Sequence, residues 1–236
     1  MAEQGELWDL QALAGARRLA DWMFDQFSWA VGPDVVEVGA GIGTFSARLL
    51  DAGVQRLLLI EPEPTCADIL DERFAGDVRV TVERDQLPEA DALLGRPGLF
   101  DLALCLNVLE HVADDVRALA VMAGALRPGG RLGLLVPAGP KLYGSLDIHY
   151  GHHRRYTSSS LRALAESAGL RVTALYPFNA LGIPGWWFRT LTGGTALGSR
   201  SLAAYDRLLV PWRPLEKRLR LRWGLSLILH AERPGP

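Results

Sequence analysis

Two patterns of apolar and polar positions alternate along the chain. Short apolar runs recur at Asp34 to Val38 (DVVEV), Arg56 to Ile60 (RLLLI), Val78 to Val82 (VRVTV), Phe100 to Leu106 (FDLALCL) and Arg131 to Val136 (RLGLLV). Between them lie segments whose apolar residues return at helical spacing, at 43 to 52, 63 to 74 and 112 to 126. Strand and helix in turn predict βαβ units and a mainly parallel sheet with helices on both faces, a doubly wound α/β fold.

The flanking segments extend this pattern. Residues 7 to 29 set Leu10, Leu13, Ala20, Met23 and Phe27 at roughly helical spacing, and Gly32-Pro33 ends that stretch. Arg127-Pro128-Gly129-Gly130 reads as a helix stop followed by a turn. A loop from 137 to 156 precedes a helix at 158 to 168, which Thr157 or a neighbouring Ser caps and Gly169 closes. A strand near 170 to 176 is followed by a Gly-rich apolar insertion at 179 to 200. A helix at about 201 to 210, a basic helical stretch and a final strand, Gly224 to His230, complete the chain. One domain over 1 to 236 is expected, with a helical cap at 1 to 32, a core at 33 to 136, and a loop, insertion and last strands at 137 to 236.

Charge is unevenly placed. Residues 1 to 140 carry 11 Lys+Arg against 22 Asp+Glu, and residues 141 to 236 carry 14 against 5, so the two parts stand at −11 and +9. The acidic part opposes broad docking of a polyanion, and the basic residues lack interleaved aromatics, so no nucleic-acid partner is expected. The only cysteines, Cys66 and Cys105, sit in apolar stretches and suggest buried thiols rather than a disulfide framework. No uncharged run reaches about 18 residues and the start of the chain is acidic, so a cytoplasmic protein without stable membrane insertion is expected. A homodimer remains compatible with the sequence.

The first chemistry lies at Val35 to Thr44 (VVEVGAGIGT), where a strand, a Gly-rich turn and a helix start follow one another. A dinucleotide turn calls for G-x-G-x-x-G, but Thr44 takes the place of the last glycine and Glu37 stands just before the turn. A carboxylate there repels a pyrophosphate and suits the ammonium end of an amino-acid-like ligand. Glu61, 22 residues after Gly39 at the end of the second strand, is placed to accept ribose hydroxyls. Asp85 follows the third strand, placed either for an adenine amino group or as a cap or turn residue.

The series VVEVGAGIG, LLLIEPEP, ERDQLPE, FDLALCLNVLEHVADD and LRPGGRLGLLVP resembles, in order and spacing, the motifs of class I S-adenosylmethionine-dependent methyltransferases. The resemblance implies a seven-stranded Rossmann-like sheet whose last strand is antiparallel, with S-adenosylmethionine as cofactor. It assigns Glu37, Gly39, Ala40, Gly41 and Gly43 to the methionine end, and Glu61 with Pro62 to the ribose. Asp85 and Gln86 fall to the adenine, and Asn107 and Val108 to the methyl donor.

Such a transfer needs alignment and, for a hydroxyl or protonated amine, a base. Four of the five histidines, His111, His149, His152 and His153, follow the fourth or fifth strand, at the carboxyl edge of the sheet where open α/β folds bind ligands. His152 or His149 is the expected base, His153 and His111 the reserves. Tyr143, Arg154 and Tyr156 are expected to orient a small-molecule acceptor, with Asp147, Arg154 and Arg155 alternatively read as ion pairs that hold the loop. The loop's spacing fits no familiar metal pattern, so no metal is expected. Methylation of oxygen on a natural-product or sugar-like acceptor is the leading reading. The alternatives are a non-methylating cyclisation or elimination assisted by the bound sulfonium, a cofactor sensor, and a nicotinamide dehydrogenase.

Overall fold

The computed structural model describes residues 10–192, 199–219 and 221–235. Strands β1 (Asp34–Val38), β2 (Arg56–Ile60), β3 (Val80–Glu83), β4 (Phe100–Leu106), β5 (Leu126–Pro137), β6 (Arg171–Phe178) and β7 (Ser226–Glu232) form one sheet. Their order is β3-β2-β1-β4-β5-β7-β6, and only β7 runs antiparallel to its neighbours. This is the seven-stranded Rossmann-like arrangement. The sequence of strands reverses direction between β1 and β4, which creates a crevice at their carboxyl ends.

The central strands are buried along their whole length because helices cover both faces. Along β4, Ala103 and Cys105 face a core shared with α4 (Asp91–Leu94), α5 (Asp115–Ala125) and α7 (Ser158–Ser167). Leu102, Leu104 and Leu106 face the opposite core, filled by α1 (Arg17–Asp25), α2 (Thr44–Asp51), α3 (Pro64–Arg73) and the late helix α9 (Ser199–Leu219). Each such leucine contributes about 1.5–3 kcal/mol by leaving water.

Several boundaries differ from those the periodicity predicts, and each difference has a local cause. The third strand starts at Val80 rather than Val78, because Asp77 turns the chain by accepting the Arg79 N–H on its side chain and the Val80 N–H on its carbonyl. Val78 is left 99% exposed. The turn expected at 127 to 130 lies within β5, as a register break between the Phe100–Leu126 and Leu102–Arg131 pairs. The last strand continues to Glu232, which pairs with Arg131 and Arg171.

The 179 to 200 insertion contains a helix, α8 (Gly182–Thr192). Residues 193 to 198 of it, and residues 7 to 9 of the first expected helix, lie outside the described residues. The helix and basic stretch expected after 200 are one helix, α9, with Pro211 and Pro214 inside it. Each proline removes a bond to the carbonyl four residues earlier, on Arg207 and Val210. Both residues are exposed, so water can satisfy the freed carbonyls. Among the described residues, no helix is long and apolar enough to cross a membrane.

Candidate active site

The turn after β1 is shaped by its glycines. Gly39 has φ +73°, and a Cβ there would approach Val108 Cγ2 to 2.1 Å, so any side chain would drive β1 and the segment after β4 apart. Asn107 also adopts φ +54°, a conformation its short polar side chain tolerates, with its N–H bonded to the Leu135 carbonyl at 2.8 Å. The turn is completed from β2: Glu61 Oε2 accepts the Gly41 N–H at 2.7 Å while Oε1 accepts the Glu63 N–H at 3.0 Å. Glu63 in turn caps α3 by accepting the Cys66 N–H at 2.6 Å.

These segments surround a cavity of about 590 Å³ at the carboxyl ends of β1, β2 and β4. Of the expected cofactor residues, Gly39, Ala40, Gly41, Glu61, Pro62, Asn107 and Val108 line it, and so does His111. Glu37, Gly43, Asp85 and Gln86 are not on its wall. Glu37 lies beneath the turn, fully buried, accepting the Ser46 hydroxyl at 2.5 Å, and burial raises its carboxyl to about 8. Gly43 faces Leu70 and Phe74. Asp85 uses one oxygen on the Gln86 N–H and the other on the Ala92 N–H, which closes the turn before α4.

Leu10, Leu13, Ile42, Thr44, Phe45, Glu63, Thr65, Cys66 and Leu106 also line the cavity, and the motif analysis did not single them out. For Leu10 and Leu13 the helical spacing was the available signal. Thr65 and Cys66 could have been found from the Glu63 cap that aims α3 at the cavity.

The wall fits an adenosyl amino acid better than a dinucleotide. Among the described residues no Arg or Lys lines it, and its acidic side chains are Glu61 and Glu63. A pyrophosphate meets like charge there, whereas an ammonium meets opposite charge.

Beyond His111 stands the loop between β5 and α7. Its ends are zipped together where Ala138 bridges Tyr156 and the Tyr156 N–H bonds the Pro137 carbonyl. At its centre is a short helix, α6 (Ser145–His149), carrying Asp147. Asp147 is completely buried; its Oδ1 accepts Arg155 Nε at 2.7 Å and faces His152 Nδ1 at 2.8 Å, and its Oδ2 accepts the Gly144 N–H at 3.0 Å. Burial alone would raise this carboxyl, but the His152 and Arg155 bonds outweigh it and hold Asp147 below the usual range. An ionised Asp147 only accepts, so His152 Nδ1 carries the proton and Nε2 is the basic nitrogen. The Arg155 guanidinium also bonds the Ala138 carbonyl and stacks 4.5 Å from the Trp186 ring centre.

The His152 ring meets the His111 ring edge-on at 4.8 Å, and its Nε2 lies 4.0 Å from Glu110 Oε1. Burial, then the neighbouring imidazoles, lower His111 to about 4, so it is neutral near pH 7. One carboxylate oxygen of Glu110 and one ring nitrogen each of His111 and His152 lie within 4.8 Å of one another. These are ligand types that suit a divalent cation. This group joins the loop to the segment after β4 and lies outside the loop spacing and the Asn107 position on which the expectation of no metal rests.

The other expected loop residues have protein partners. Tyr143 donates to the His152 carbonyl, Arg154 pairs with Asp115, and Tyr156 donates to Asp115 at 2.9 Å. Arg154 and Tyr156 brace the loop on α5, and Tyr143 ties the loop to itself. His149 is exposed at the end of α6 beside Tyr150, and His153 is exposed while its N–H anchors to the Glu110 carbonyl.

Glu110 is 1% exposed and its Oε2 has no partner among the described residues; burial raises its carboxyl to about 8. A folded-state value above the ordinary 4.5 means the folded protein binds more protons between the two values. The stability this contributes is complete below about pH 4.5 and is lost as pH rises through about 8. Glu110→Gln is expected to flatten the fall in melting temperature over that window. Glu37, shifted alike, should retain the rest of the slope. Thermal melts of both proteins from pH 5 to about 9 check this, and an unchanged slope refutes it.

A family model described as a methyltransferase domain matches residues 36–132. The ubiquinone biosynthesis O-methyltransferase of Aeromonas salmonicida is 25% identical over 183 residues, covering 72% of this chain and 75% of the relative. An uncharacterized methyltransferase of Mycobacterium bovis is 31% identical over 121 residues, 49% of this chain and 42% of the relative. An S-adenosylmethionine-dependent methyltransferase from Mesorhizobium loti shares the fold, with a TM-score of 0.60 at 16% identity over 86% of this chain and 93% of that one. A Rossmann-like sheet alone serves many chemistries, but this sheet order, the uncharged and acidic cavity wall and the matched domain agree on one. Residues 36–132 match the methyltransferase domain, the chain is similar over most of its length to a methyltransferase, and its fold is that of S-adenosylmethionine-dependent methyltransferases.

Proposed function

We propose that the enzyme methylates a hydroxyl of a small-molecule acceptor of natural-product or sugar-like type, with His152 as the general base. The observation that carries this reading is the Asp147–His152 pair beside His111, the one histidine on the cavity wall. When bound, S-adenosylmethionine supplies an electrophilic methyl group and leaves as S-adenosylhomocysteine.

Residues 33–136 hold the cofactor, and residues 137–236 supply the acceptor side. The acceptor hydroxyl would sit against His152 Nε2, which would take its proton as the bound cofactor supplies the methyl group. Asp147 keeps the imidazole in the correct tautomer and stabilises the imidazolium that forms. Neutral His111 adds no positive charge beside it. Glu61 and the glycine turn hold the cofactor in line with the acceptor, where alignment supplies much of the rate. The relative from Aeromonas, an O-methyltransferase by name, supports oxygen over nitrogen or carbon.

Metabolite extracts incubated with the enzyme and methyl-labelled S-adenosylmethionine test the reading by mass spectrometry. Expected are a labelled O-methyl product and stoichiometric S-adenosylhomocysteine. A converted acceptor without S-adenosylhomocysteine overturns methyl transfer in favour of cofactor-assisted cyclisation or elimination. A label on nitrogen or carbon overturns the hydroxyl assignment.

A further inference from the structure

Helix α9 has two apolar faces, and the fold uses only one. Its inner face carries Leu209, fully buried in the core, with Tyr205 and Trp212 packed beside it. On a helical wheel Leu208, Leu215 and Leu219 align about half a turn from Asp206, and they are 57%, 43% and 51% exposed. Exposed Ala204 and Pro211 complete the stripe. A core helix gains nothing from such a stripe, because leucine left in water forfeits its burial energy.

The charges on this helix are sorted as well. Its two acids turn inward: Asp206 accepts Arg18 Nη1 and the Leu19 N–H, and Glu216 accepts the Asn179 and Ala180 N–H groups and Trp212 Nε1. Arg207 and Arg218 are exposed beside the stripe, Lys217 is exposed on the far side of the helix, and exposed Arg222 and Trp223 follow the helix. The outward surface therefore combines leucines with cations and shows no acid among the described residues of α9. The +9 charge of residues 141 to 236 continues the same sign.

From this pairing of apolar stripe and flanking cations we infer that α9 docks the enzyme on an anionic phospholipid surface. Leucines enter the headgroup boundary while Arg207 and Arg218 beside them meet phosphates, as in amphipathic helices that lie in the interface plane. A second copy fits less well, since a two-fold contact on this face brings like cations together. The stripe also distinguishes the surface from a nucleic-acid site, which needs cations but not leucines.

The test is co-sedimentation of the full chain with vesicles of phosphatidylcholine alone and of phosphatidylcholine with phosphatidylglycerol. Binding is expected only to the anionic vesicles and should weaken with salt. The double variant Arg207→Ala, Arg218→Ala should lose roughly 30-fold in partitioning, and Lys217→Ala, on the far side of the helix, much less. Leu208→Ser with Leu215→Ser and Leu219→Ser should lose binding at unchanged melting temperature, because all three leucines are exposed. Calorimetry with S-adenosylhomocysteine should be the same for every variant, since α9 contributes no residue to the cavity wall. Equal partitioning to both vesicle types, or serine variants that bind like the parent, overturns the inference. So does light scattering that shows a dimer which the serine variants dissociate.

Discussion

His152→Ala is expected to lower turnover by about 10²- to 10⁴-fold, the range supplied by a positioned general base. Affinity for S-adenosylmethionine should not change, because His152 is not on the cavity wall while Glu61 and the glycine turn are. Steady-state kinetics with calorimetry separate the two effects. If turnover survives and His111→Ala abolishes it, the base is His111. The geometry favours His152, since Asp147 backs its imidazole whereas His111 is held near 4 and is a weak acceptor at neutral pH. Dialysis against a chelator should leave parent turnover intact, because this reading needs Nε2 open to the acceptor. A chelator-sensitive enzyme that regains activity with a divalent ion reassigns Glu110, His111 and His152 as ligands.

The sheet and half of the site were legible because they rest on local rules. Buried central strands read as apolar runs, and the glycines after β1 announce a turn that a Cβ would obstruct. Glu61 was legible as the acid closing β2. What was not legible depends on tertiary pairing. Glu37 looks identical in sequence whether it faces a ligand or Ser46 beneath the turn, and only the packing of α2 decides. Asp85 reads in sequence as an adenine contact or a turn residue, and only the fold reveals its bond to the Ala92 N–H, seven residues away. The histidine-rich loop was correctly marked as unusual, yet its parts could not be sorted. Arg154 and Tyr156 both reach Asp115, on a helix about 40 residues earlier, and no spacing rule connects them.

Asp147→Ala is expected to be the most destabilising substitution in the loop. It leaves the Arg155 guanidinium, only 5% exposed, with the Ala138 carbonyl, the Trp186 face and the field of Glu110 but without the carboxylate it bonds. Breaking a buried pair from one side costs about 3–5 kcal/mol. For a domain of this size that lowers the melting temperature by roughly 6–20 °C. The carboxyl is held below its ordinary 3.8, so its contribution stands above that pH and is lost as pH falls through the depressed value. Asp147→Asn keeps the shape and should cost less stability, but a neutral amide no longer supports the imidazolium, so turnover still falls. The double variant Asp147→Leu, Arg155→Met separates the two roles, because removing both charges together relieves the unpaired guanidinium. Its melting temperature should recover most of the loss, while turnover stays as low as in Asp147→Ala, since His152 remains without its partner. Recovery of turnover together with stability would mean that Asp147 acts only by holding the loop in place.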